Sequence, residues 1–290
     1  MIDLMVRIRR SLLICLLLFA NGCSYLMSSA TENFGNNLKQ AILNHNDPQI
    51  VADAIPTYLL LQEALLLDDP ENEVLLMSTA NLYSSYGNLV ENISTKRKKQ
   101  ISQKAFDLAL NAACLHEQDF CQLNDRKFDE FTPIIDQYDD IDDLDILYSV
   151  GTRWIGWIQA NSTDWNAIAQ LAQVKYIINH VISVQDHYKQ GEAYLYAAVM
   201  ESLVPPALGG KPDLAKHNFD KAVKLSNGKN LMVYVLYAKH YARMMFDRDL
   251  HDTLLKKVIN TQADQQDLTL SNTLAKQMAE KLLQSADDYF

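Results

Sequence analysis

Apolar residues recur along most of this chain at the spacing of α-helices. In three segments they fall at alternating intervals of three and four residues, which places them on one side of a helix: 171–182, 231–245 and 275–286. The alternation of apolar and polar residues that marks a half-buried strand is almost absent. The pattern predicts an all-α protein.

Turn-forming residues separate the predicted helices at short intervals. They are Asp47-Pro48, Asp69-Pro70, 161–164, Pro205-Pro206, 209–212 and Asn227-Gly228. Pro212 suits the first turn of a helix, where its missing N–H group costs nothing. The pattern predicts about ten helices joined by short turns, for which a stack of helical hairpins is the simplest architecture.

One predicted helix carries the spacing of a tetratricopeptide repeat. Ala215, Phe219 and Ala222 follow the pattern Ala-x₃-Phe-x₂-Ala, in which small residues let two helices approach and the aromatic ring fills the gap. The segment 64–72 is similar to the turn between such repeats, although a regular period of about 34 residues is missing. We expect a degenerate tetratricopeptide-like superhelix, whose curvature would leave a groove or a central channel.

The N-terminus has the layout of a cleaved bacterial signal. A short apolar run, 12–20, is followed by small residues up to Gly22, and three arginines precede it: Arg7, Arg9 and Arg10. The run is shorter than the roughly 18 to 20 residues that a spanning helix needs, and we expect no later stretch to reach that length. We therefore predict that 1–22 is a signal peptide and that the mature protein does not span the membrane.

The sequence around Cys23 resembles a lipobox, in which the cysteine is lipidated and becomes the new N-terminus. The alternative is an ordinary secretory signal with an incidental cysteine. We predict lipidation at Cys23, a tether at 23–31 and a single all-helical domain at 32–290. Several acyl chains would anchor the protein durably in a membrane. By resemblance to lipoprotein sorting rules, Ser24 in place of an aspartate favours the outer membrane. The protein is thus expected to face the periplasm.

The mature chain is acidic. The full chain has 26 Lys and Arg against 36 Asp and Glu, and loss of Asp3 and the three arginines with the signal leaves 23 against 35, a net charge of −12. Such a balance argues against nucleic acid as a partner. The basic run 96–99 is most simply the solvated side of a helix, and contact with anionic head groups or an acidic partner is the alternative.

Two cysteines remain after Cys15 leaves with the signal and Cys23 is lipidated. On one uninterrupted helix the Cα atoms of Cys114 and Cys121 would lie about 10.5 Å apart, too far for a disulfide. A bridge therefore requires the helix to end near His116, and the alternative is two small buried apolar residues. His116 is the one obvious further ligand, so we predict no metal site.

No catalytic signature is present in the sequence. It contains no His-Glu-x-x-His, Gly-x-Ser-x-Gly, phosphate-binding loop or Ser-x-x-Lys motif. The aspartate-rich segment 136–145 lacks the spacing, glycine and glutamate of an EF-hand, so we expect a solvated loop that caps a helix beginning near Leu144. We predict a protein that is not an enzyme and needs no cofactor.

Aromatic residues supply the candidates for a binding surface. Five of them would line the channel of a curved helical stack: Trp154, Trp157, Tyr194, Tyr237 and Tyr241. Amphipathic rings on a concave surface would receive an apolar ligand or a helix of a partner. The alternative is that the same rings form the core at helical spacing.

The second half of the chain carries a family resemblance. The stretches 209–222, 235–242 and 270–290, of which the last is the most specific, resemble the T-component family associated with TRAP transporters, the TatT lipoproteins. The segments 64–110 and 154–157 extend the resemblance more loosely over most of the mature chain, and the lipobox agrees with it. The segment 136–145, the two cysteines and the basic run 96–99 depart from the family pattern.

The resemblance implies an all-helical lipoprotein that binds a periplasmic solute-binding protein of the TRAP P-component type. It also implies a homotrimer and a channel for a hydrophobic or organic-acid ligand, and it carries over no catalytic residue. Two alternatives stay open. One is a scaffold for outer-membrane or envelope assembly without small-molecule cargo, and the other is a helical periplasmic enzyme, which would need a pocket with convergent acids or histidines of perturbed pKa.

Overall fold

The computed structural model describes residues 37–90, 93–204, 206–208 and 210–290. The described residues contain no β-strand and most of them are helical, so the prediction of an all-α protein is confirmed. The predicted signal peptide 1–22, the lipidation site Cys23 and the tether 23–31 lie outside the described residues. The predicted boundaries of the domains stay predictions.

Helical turns at 37–43 precede a succession of numbered helices. The first eight are α1 (Pro48–Asp68), α2 (Glu73–Leu89), α3 (Thr95–His116), α4 (Phe128–Ile135), α5 (Ile141–Ala160), α6 (Trp165–Ala169), α7 (Leu171–Val184) and α8 (Glu192–Glu201). The later ones are α9 (Pro212–Leu225), α10 (Leu231–Leu236), α11 (Arg248–Asn260), α12 (Thr269–Gln284) and α13 (Ala286–Tyr289). Short 3₁₀ turns lie at Gln118–Phe120, Leu123–Asp125, Tyr188–Gly191 and Pro206–Leu208.

The predicted turn residues begin several of these helices. The Asp47 carboxylate accepts hydrogen bonds from the backbone N–H groups of Gln49 and Ile50 at the start of α1. Asn72 caps α2 in the same way, and Pro212 occupies the first turn of α9 as predicted. Each cap satisfies N–H groups that the helix itself leaves unpaired, which fixes where the chain changes direction.

Most helices pack against a helix that is next, or next but one, in the sequence. Contacts join α1 to α2, α2 to α3, α3 to α5, α5 to α7, α7 to α8 and α8 to α9. In the last part of the chain α11 and α12 pack together, and α10 packs against both. The tetratricopeptide-like superhelix and its channel stay predictions.

The largest core surrounds α5. Leu147, Val150 and Trp154 are completely buried, and α3 contributes Ala109 and Ala112 opposite them. Because alanine side chains are small, α3 can lie close to α5 while the larger rings of the core fill the remaining space. The position of α5 determines the positions of most candidate residues described below.

The predicted repeat residues form the core of the second half. Ala215, Phe219 and Ala222 of α9 have no exposed surface. Gly191, just before α8, has φ +90°, and a Cβ atom there would lie 3.2 Å from Cα of Ala222 and 2.9 Å from Cβ of Leu225. Only glycine combines this backbone conformation with so close an approach to α9.

The first and last parts of the described chain are in contact. Asn44 Oδ1 accepts a hydrogen bond of 2.7 Å from the backbone N–H of Asp267. Val51 and Ile55 of α1 share an apolar cluster with Leu270 of α12. The first and last long helices are therefore neighbours, although more than two hundred residues separate them.

The predicted helix over 231–245 is interrupted. After α10 the backbone forms a π-helix at Tyr237–Ala242. The apolar spacing of this segment fits a continuous α-helix, so the prediction was wrong in this detail. A π-helix has more residues per turn than an α-helix, but in a segment of six residues the apolar spacing fits both. Short π-helices are frequent at functional sites.

α1 corrects the expectation about spanning length. It has 21 residues, and the mean hydropathy of an 18-residue window within it is 1.5. Within the described part of the chain it is the one helix long and apolar enough to cross a membrane. Asp53 and Glu63 interrupt the apolar run and hid it from inspection of the sequence. In this structure α1 packs on α2 and buries Val51, Ile55 and Leu59.

Candidate functional site

Three of the five predicted aromatic residues come together. Tyr194, Tyr237 and Tyr241 belong to one apolar cluster between α8, α9 and the π-helix. The Tyr237 ring stacks on Phe219 at a centroid distance of 4.5 Å, and Tyr241 meets Tyr237 edge-on at 5.3 Å. We call these four residues the tyrosine cluster. Its assembly depends on the π-helix, which carries two of the four rings.

The tyrosine cluster has a polar edge. The hydroxyl of Tyr237 donates to Asp220 at 3.3 Å, and the hydroxyl of Tyr194 donates to Asp186. Burial and the hydrogen bond to Asp186 raise the pKa of Tyr194 to about 12, and burial also raises the pKa of Tyr237. Both phenols therefore stay protonated near neutral pH, where they can act as hydrogen-bond donors.

The two predicted tryptophans lie in a different cluster. Trp154 has no exposed surface, and its ring lies 5.3 Å from Phe106 and 6.2 Å from Phe131. Its indole N–H donates to Gln170 at 2.7 Å. Trp157 is half-buried and also packs on Phe106. The five residues thus do not share one surface, and their role in a channel stays a prediction.

A polar cluster that the sequence pattern does not predict lies between α5 and α8. We call it the Arg153 cluster, and its members are Tyr148, Arg153, Tyr188, Glu192 and Tyr196. Tyr148 donates to the Glu192 carboxylate at 3.0 Å. The Arg153 guanidinium donates to Ser149 O and Thr152 Oγ1 of its own helix, while its buried Nε has no partner.

Burial controls the electrostatics of the Arg153 cluster. It lowers the pKa of Arg153 and raises the pKa of Glu192, although the hydrogen bond from Tyr148 opposes the second effect. Lys189 pairs with Asp145 at 3.3 Å and lies over the Tyr148 ring. The sequence did contain a signal, because Arg153 is the single charged residue in the apolar run 146–158.

α1 presents an exposed apolar face. Its exposed leucines are Leu60, Leu61, Leu65 and Leu67, with exposed fractions of 69%, 52%, 46% and 84%. Next to them is a shallow groove of about 540 Å³. The groove is lined by Leu60, Glu63, Ala64, Leu66, Leu67, Pro70, Leu76, Lys104 and Leu108. Contiguous apolar surface of this kind typically marks a binding site in a folded protein.

His116 joins three helices. Its Nδ1 lies 3.0 Å from Glu73 of α2, and its Nε2 lies 2.9 Å from Asp143 of α5. Both ring nitrogens donate only when the imidazole is protonated. Burial disfavours that charge, but the bonds to Asp143 and Glu73 outweigh burial and raise the pKa of His116.

The His116 bridge predicts a dependence of stability on pH. Because the folded-state pKa is raised, the stabilisation is complete below the unfolded pKa of about 6.5 and is lost as pH rises through the folded pKa. His116→Gln should lower the free energy of unfolding by about 1–3 kcal/mol near pH 6 and by less at higher pH. Urea unfolding of both proteins between pH 5.5 and 9 measures this difference.

His217 provides the matched control for that series. It is exposed, and its ring makes no hydrogen bond with another described residue. His217→Gln should leave the free energy of unfolding nearly unchanged at every pH. A destabilisation by His116→Gln that grows with pH would contradict the protonated bridge.

The aspartate-rich segment 136–145 is more than a solvated loop, which corrects the expectation from the sequence. Asp136 accepts a hydrogen bond of 2.6 Å from Tyr176, Asp143 holds His116 and Asp145 pairs with Lys189. Helix α5 begins at Ile141, and its N-cap Asp140 makes no capping bond with its side chain. In the sequence these aspartates resemble solvent-facing residues because their partners are distant along the chain.

Cys114 and Cys121 lie at the end of α3. The helix ends at His116, and the 3₁₀ turn Gln118–Phe120 reverses the chain. The structure joins the two sulfurs in a disulfide, with the Cα atoms 4.3 Å apart. Formation of this bridge in the cell stays a prediction. Among the described residues no group of three or more His, Cys, Asp or Glu could hold a metal ion.

The structure defines an all-α protein whose helices pack against their neighbours in the sequence, and a fold of this kind does not by itself define a function. The sequence model of the TRAP transporter T-component family (TAtT) matches residues 44–290, and the chain therefore belongs to that family. It is an accessory component of a TRAP transporter and acts at the membrane on the periplasmic side. A comparison with curated proteins found no significant match.

Proposed function

We propose that this T-component is a lipid-anchored periplasmic protein that binds a TRAP-type solute-binding protein during uptake of a hydrophobic or organic-acid ligand. In this proposal lipidated Cys23 anchors it, in the outer membrane, and it acts as a homotrimer. The family membership and the N-terminal sequence support these features. The rings of the tyrosine cluster are buried in the core, and their role in a ligand channel stays a prediction.

The exposed apolar face of α1 is the observation that carries this proposal. Burying one leucine side chain completely contributes about 1.5–3 kcal/mol, so several partly exposed leucines can supply a large share of a binding free energy. Association also costs free energy, because the two proteins lose translational and rotational freedom. The burial of several neighbouring apolar side chains together can offset this cost. Glu63 and Lys104 at the groove, 3.5 Å apart, would give such a contact a polar rim.

Two substitutions on this face test the proposal. Leu60→Glu together with Leu67→Glu places charges where an apolar contact would form, while both positions are too exposed to affect the fold strongly. We expect recovery of the solute-binding protein to fall at least tenfold, as about 1.4 kcal/mol of lost binding would produce. The measurement is a pull-down of the detergent-extracted, lipidated protein with quantitative mass spectrometry.

Leu214→Glu is the control, since Leu214 is an exposed leucine on α9, away from α1. It should recover the same amount of partner as the unmodified protein. Unchanged recovery with the α1 variant would exclude this face as the contact. Recovery of envelope-assembly proteins, without a solute-binding protein or an extracted ligand, would contradict the role in uptake and support a scaffold instead.

A further inference from the structure

The basic run 96–99 begins helix α3 with the charge that a helix start disfavours. Lys96, Arg97 and Lys98 lie in the first turn, which has no acidic residue. The backbone N–H groups give the start of a helix a partial positive charge, so cations there are unfavourable. Helix stability therefore does not explain this run, and such local conflicts are expected where a surface has a function.

The side chains of this run make no ion pair with a described residue. Lys96, Arg97 and Lys98 are exposed, and Lys99 is half-buried. Arg97 donates to the hydroxyl of Tyr86 at 2.9 Å and lies over its ring, and neither contact neutralises its charge. The chain has 36 Asp and Glu against 26 Lys and Arg, so four adjacent cations are an exception on an acidic surface.

Trp165 lies at the same end of the helical stack as the basic run. Helices α3 and α5 are antiparallel, because Trp157 donates to Gln103 near this end and the His116 bridge joins the two helices at the other end. Helix α5 ends three residues after Trp157, at the level of the first turns of α3, and Trp165 follows after a short turn. The fold thus places an exposed tryptophan and four cations at one end.

An exposed tryptophan close to lysines suits the boundary between membrane and water. Trp165 is 82% exposed, and its ring has an apolar body and a polar N–H group, which favours the level of lipid head groups. Lysine stems are apolar while their ammonium groups can meet phosphates. Asp164, the acidic neighbour of Trp165, caps α6 by accepting from the backbone N–H of Asn166. Charge and ring together therefore match an anionic lipid surface.

The N-terminal segment is long enough to bring this end to a membrane. Ile42 shares an apolar cluster with Ile93 and Ile101, which flank the basic run. Positions 23 and 37 are 14 residues apart in the sequence, a stretch that spans at most about 50 Å. An acidic protein anchored beside an anionic leaflet is repelled by it except where its own surface is basic. The basic run is therefore the surface that such a leaflet would attract.

We propose that the basic run 96–99 and Trp165 bind the anionic phospholipid surface of the membrane that holds the anchor. This contact rests on the proposed lipid anchor at Cys23, and it adds which end of the protein faces the bilayer. The cations supply the attraction to phosphates, and Trp165 supplies an apolar contact at the level of the head groups.

The contact would hold the exposed apolar face of α1 away from the membrane. Helices α1 and α3 run in the same direction, because a short turn joins each of them to α2 and Glu63 of α1 lies 3.5 Å from Lys104 of α3. Leu108, which lines the groove beside α1, is twelve residues along α3 from Lys96, or about 18 Å. A partner in the periplasm would therefore reach the groove while the basic end stays on the bilayer.

Quenching of tryptophan fluorescence by brominated lipid tests the contact. The lipidated full-length mature protein is reconstituted in phosphatidylcholine vesicles with and without about one third phosphatidylglycerol. Trp154 and Trp157 pack in the largest core, so subtraction of the signal of Trp165→Phe isolates Trp165. Bromine atoms placed near the head group should quench Trp165 at least about threefold more in the anionic vesicles. About 0.5 M NaCl should remove this difference.

Reversal of two charges tests the basic run directly. Lys96→Glu together with Lys98→Glu should lower quenching in the anionic vesicles to the level of the neutral ones, because each cation near an anionic leaflet changes the affinity by roughly fivefold. The control is Lys224→Glu together with Lys229→Glu, which makes the same change of net charge at exposed lysines on α9 and in the turn after it. It should leave the quenching unchanged.

Equal quenching of Trp165 in the two kinds of vesicle would overturn the membrane contact. Quenching in anionic vesicles that survives Lys96→Glu together with Lys98→Glu would overturn it as well. Capture of an acidic protein that depends on these two lysines, with equal quenching in both vesicles, would assign the basic run to a protein partner instead.

The failure of this contact is distinguishable from the failure of the proposed function. Mass spectrometry of the purified protein shows whether Cys23 carries acyl chains, and their absence would overturn the anchor together with the contact that rests on it. Equal quenching with the lipidated protein would overturn the contact alone. The pull-down of a solute-binding protein, repeated with Lys96→Glu and Lys98→Glu, shows separately whether the proposed association stands.

Discussion

Trp154→Ala is expected to lower the free energy of unfolding by about 3–5 kcal/mol, the usual cost of removing a large buried ring. Trp154 is completely buried between Phe106 and Phe131, and the substitution also leaves Gln170 without its indole donor. Because α5 packs against both α3 and α7, the cavity would open at the centre of the largest core. Urea unfolding followed by circular dichroism measures the loss.

Trp165→Ala is the matched control, because it removes the same side chain from a position that is 82% exposed. Its effect should stay within about 0.5 kcal/mol. The comparison also addresses the predicted role of Trp154 in a ligand channel. If Trp154→Ala kept its stability but lost a co-purifying ligand, the residue would belong to a ligand surface instead of the core.

Asn272→Ala is expected to destabilise the protein by about 2–4 kcal/mol, since each buried group that loses its partner costs about 1–3 kcal/mol. The Asn272 carboxamide is almost completely buried and accepts from the backbone N–H of Leu231 at 2.9 Å. Its amide donates to the carbonyls of Lys229 at 3.0 Å and Ala263 at 3.2 Å. One side chain therefore ties the start of α10 and the loop before α12 to α12 itself.

The control for this experiment is Asn166→Ala on α6, where the asparagine is exposed. It should change the free energy of unfolding by less than about 0.5 kcal/mol. Thermal unfolding of both variants under identical conditions gives the comparison. Equal small effects would mean that water replaces the three hydrogen bonds of Asn272, contrary to its burial.

The pattern of apolar residues was sufficient to predict the fold class. The helix over 171–182 follows from side-chain spacing, as does most of the helix predicted over 275–286, which ends at Gln284. The start of α9 follows from Pro212. These signals act within one or two turns of the chain. The same local information failed at the π-helix Tyr237–Ala242. There the hydrogen-bond pattern changes while the apolar spacing still fits an α-helix.

The candidate sites could be predicted only in part. Tyr194, Tyr237 and Tyr241 were selected as aromatic residues, and the packing of α8 against the π-helix brings them together. Arg153 was overlooked because the residues that surround it in the Arg153 cluster, such as Tyr188 and Glu192, are distant from it in the sequence. The exposed leucines of α1 were overlooked because apolar residues are expected to be buried, and only the folded chain shows that these four are exposed.

The sequence by itself determined the all-α class, the position of most turns and membership of the TRAP T-component family, because these depend on neighbouring residues or on an ordered series of them. Only the tertiary structure decided which faces remain open. The His116 bridge, the Arg153 cluster and the contact between α1 and α12 all join residues that are distant in the chain. Their energies come from packing and from electrostatics over short distances in space, which sequence spacing does not measure.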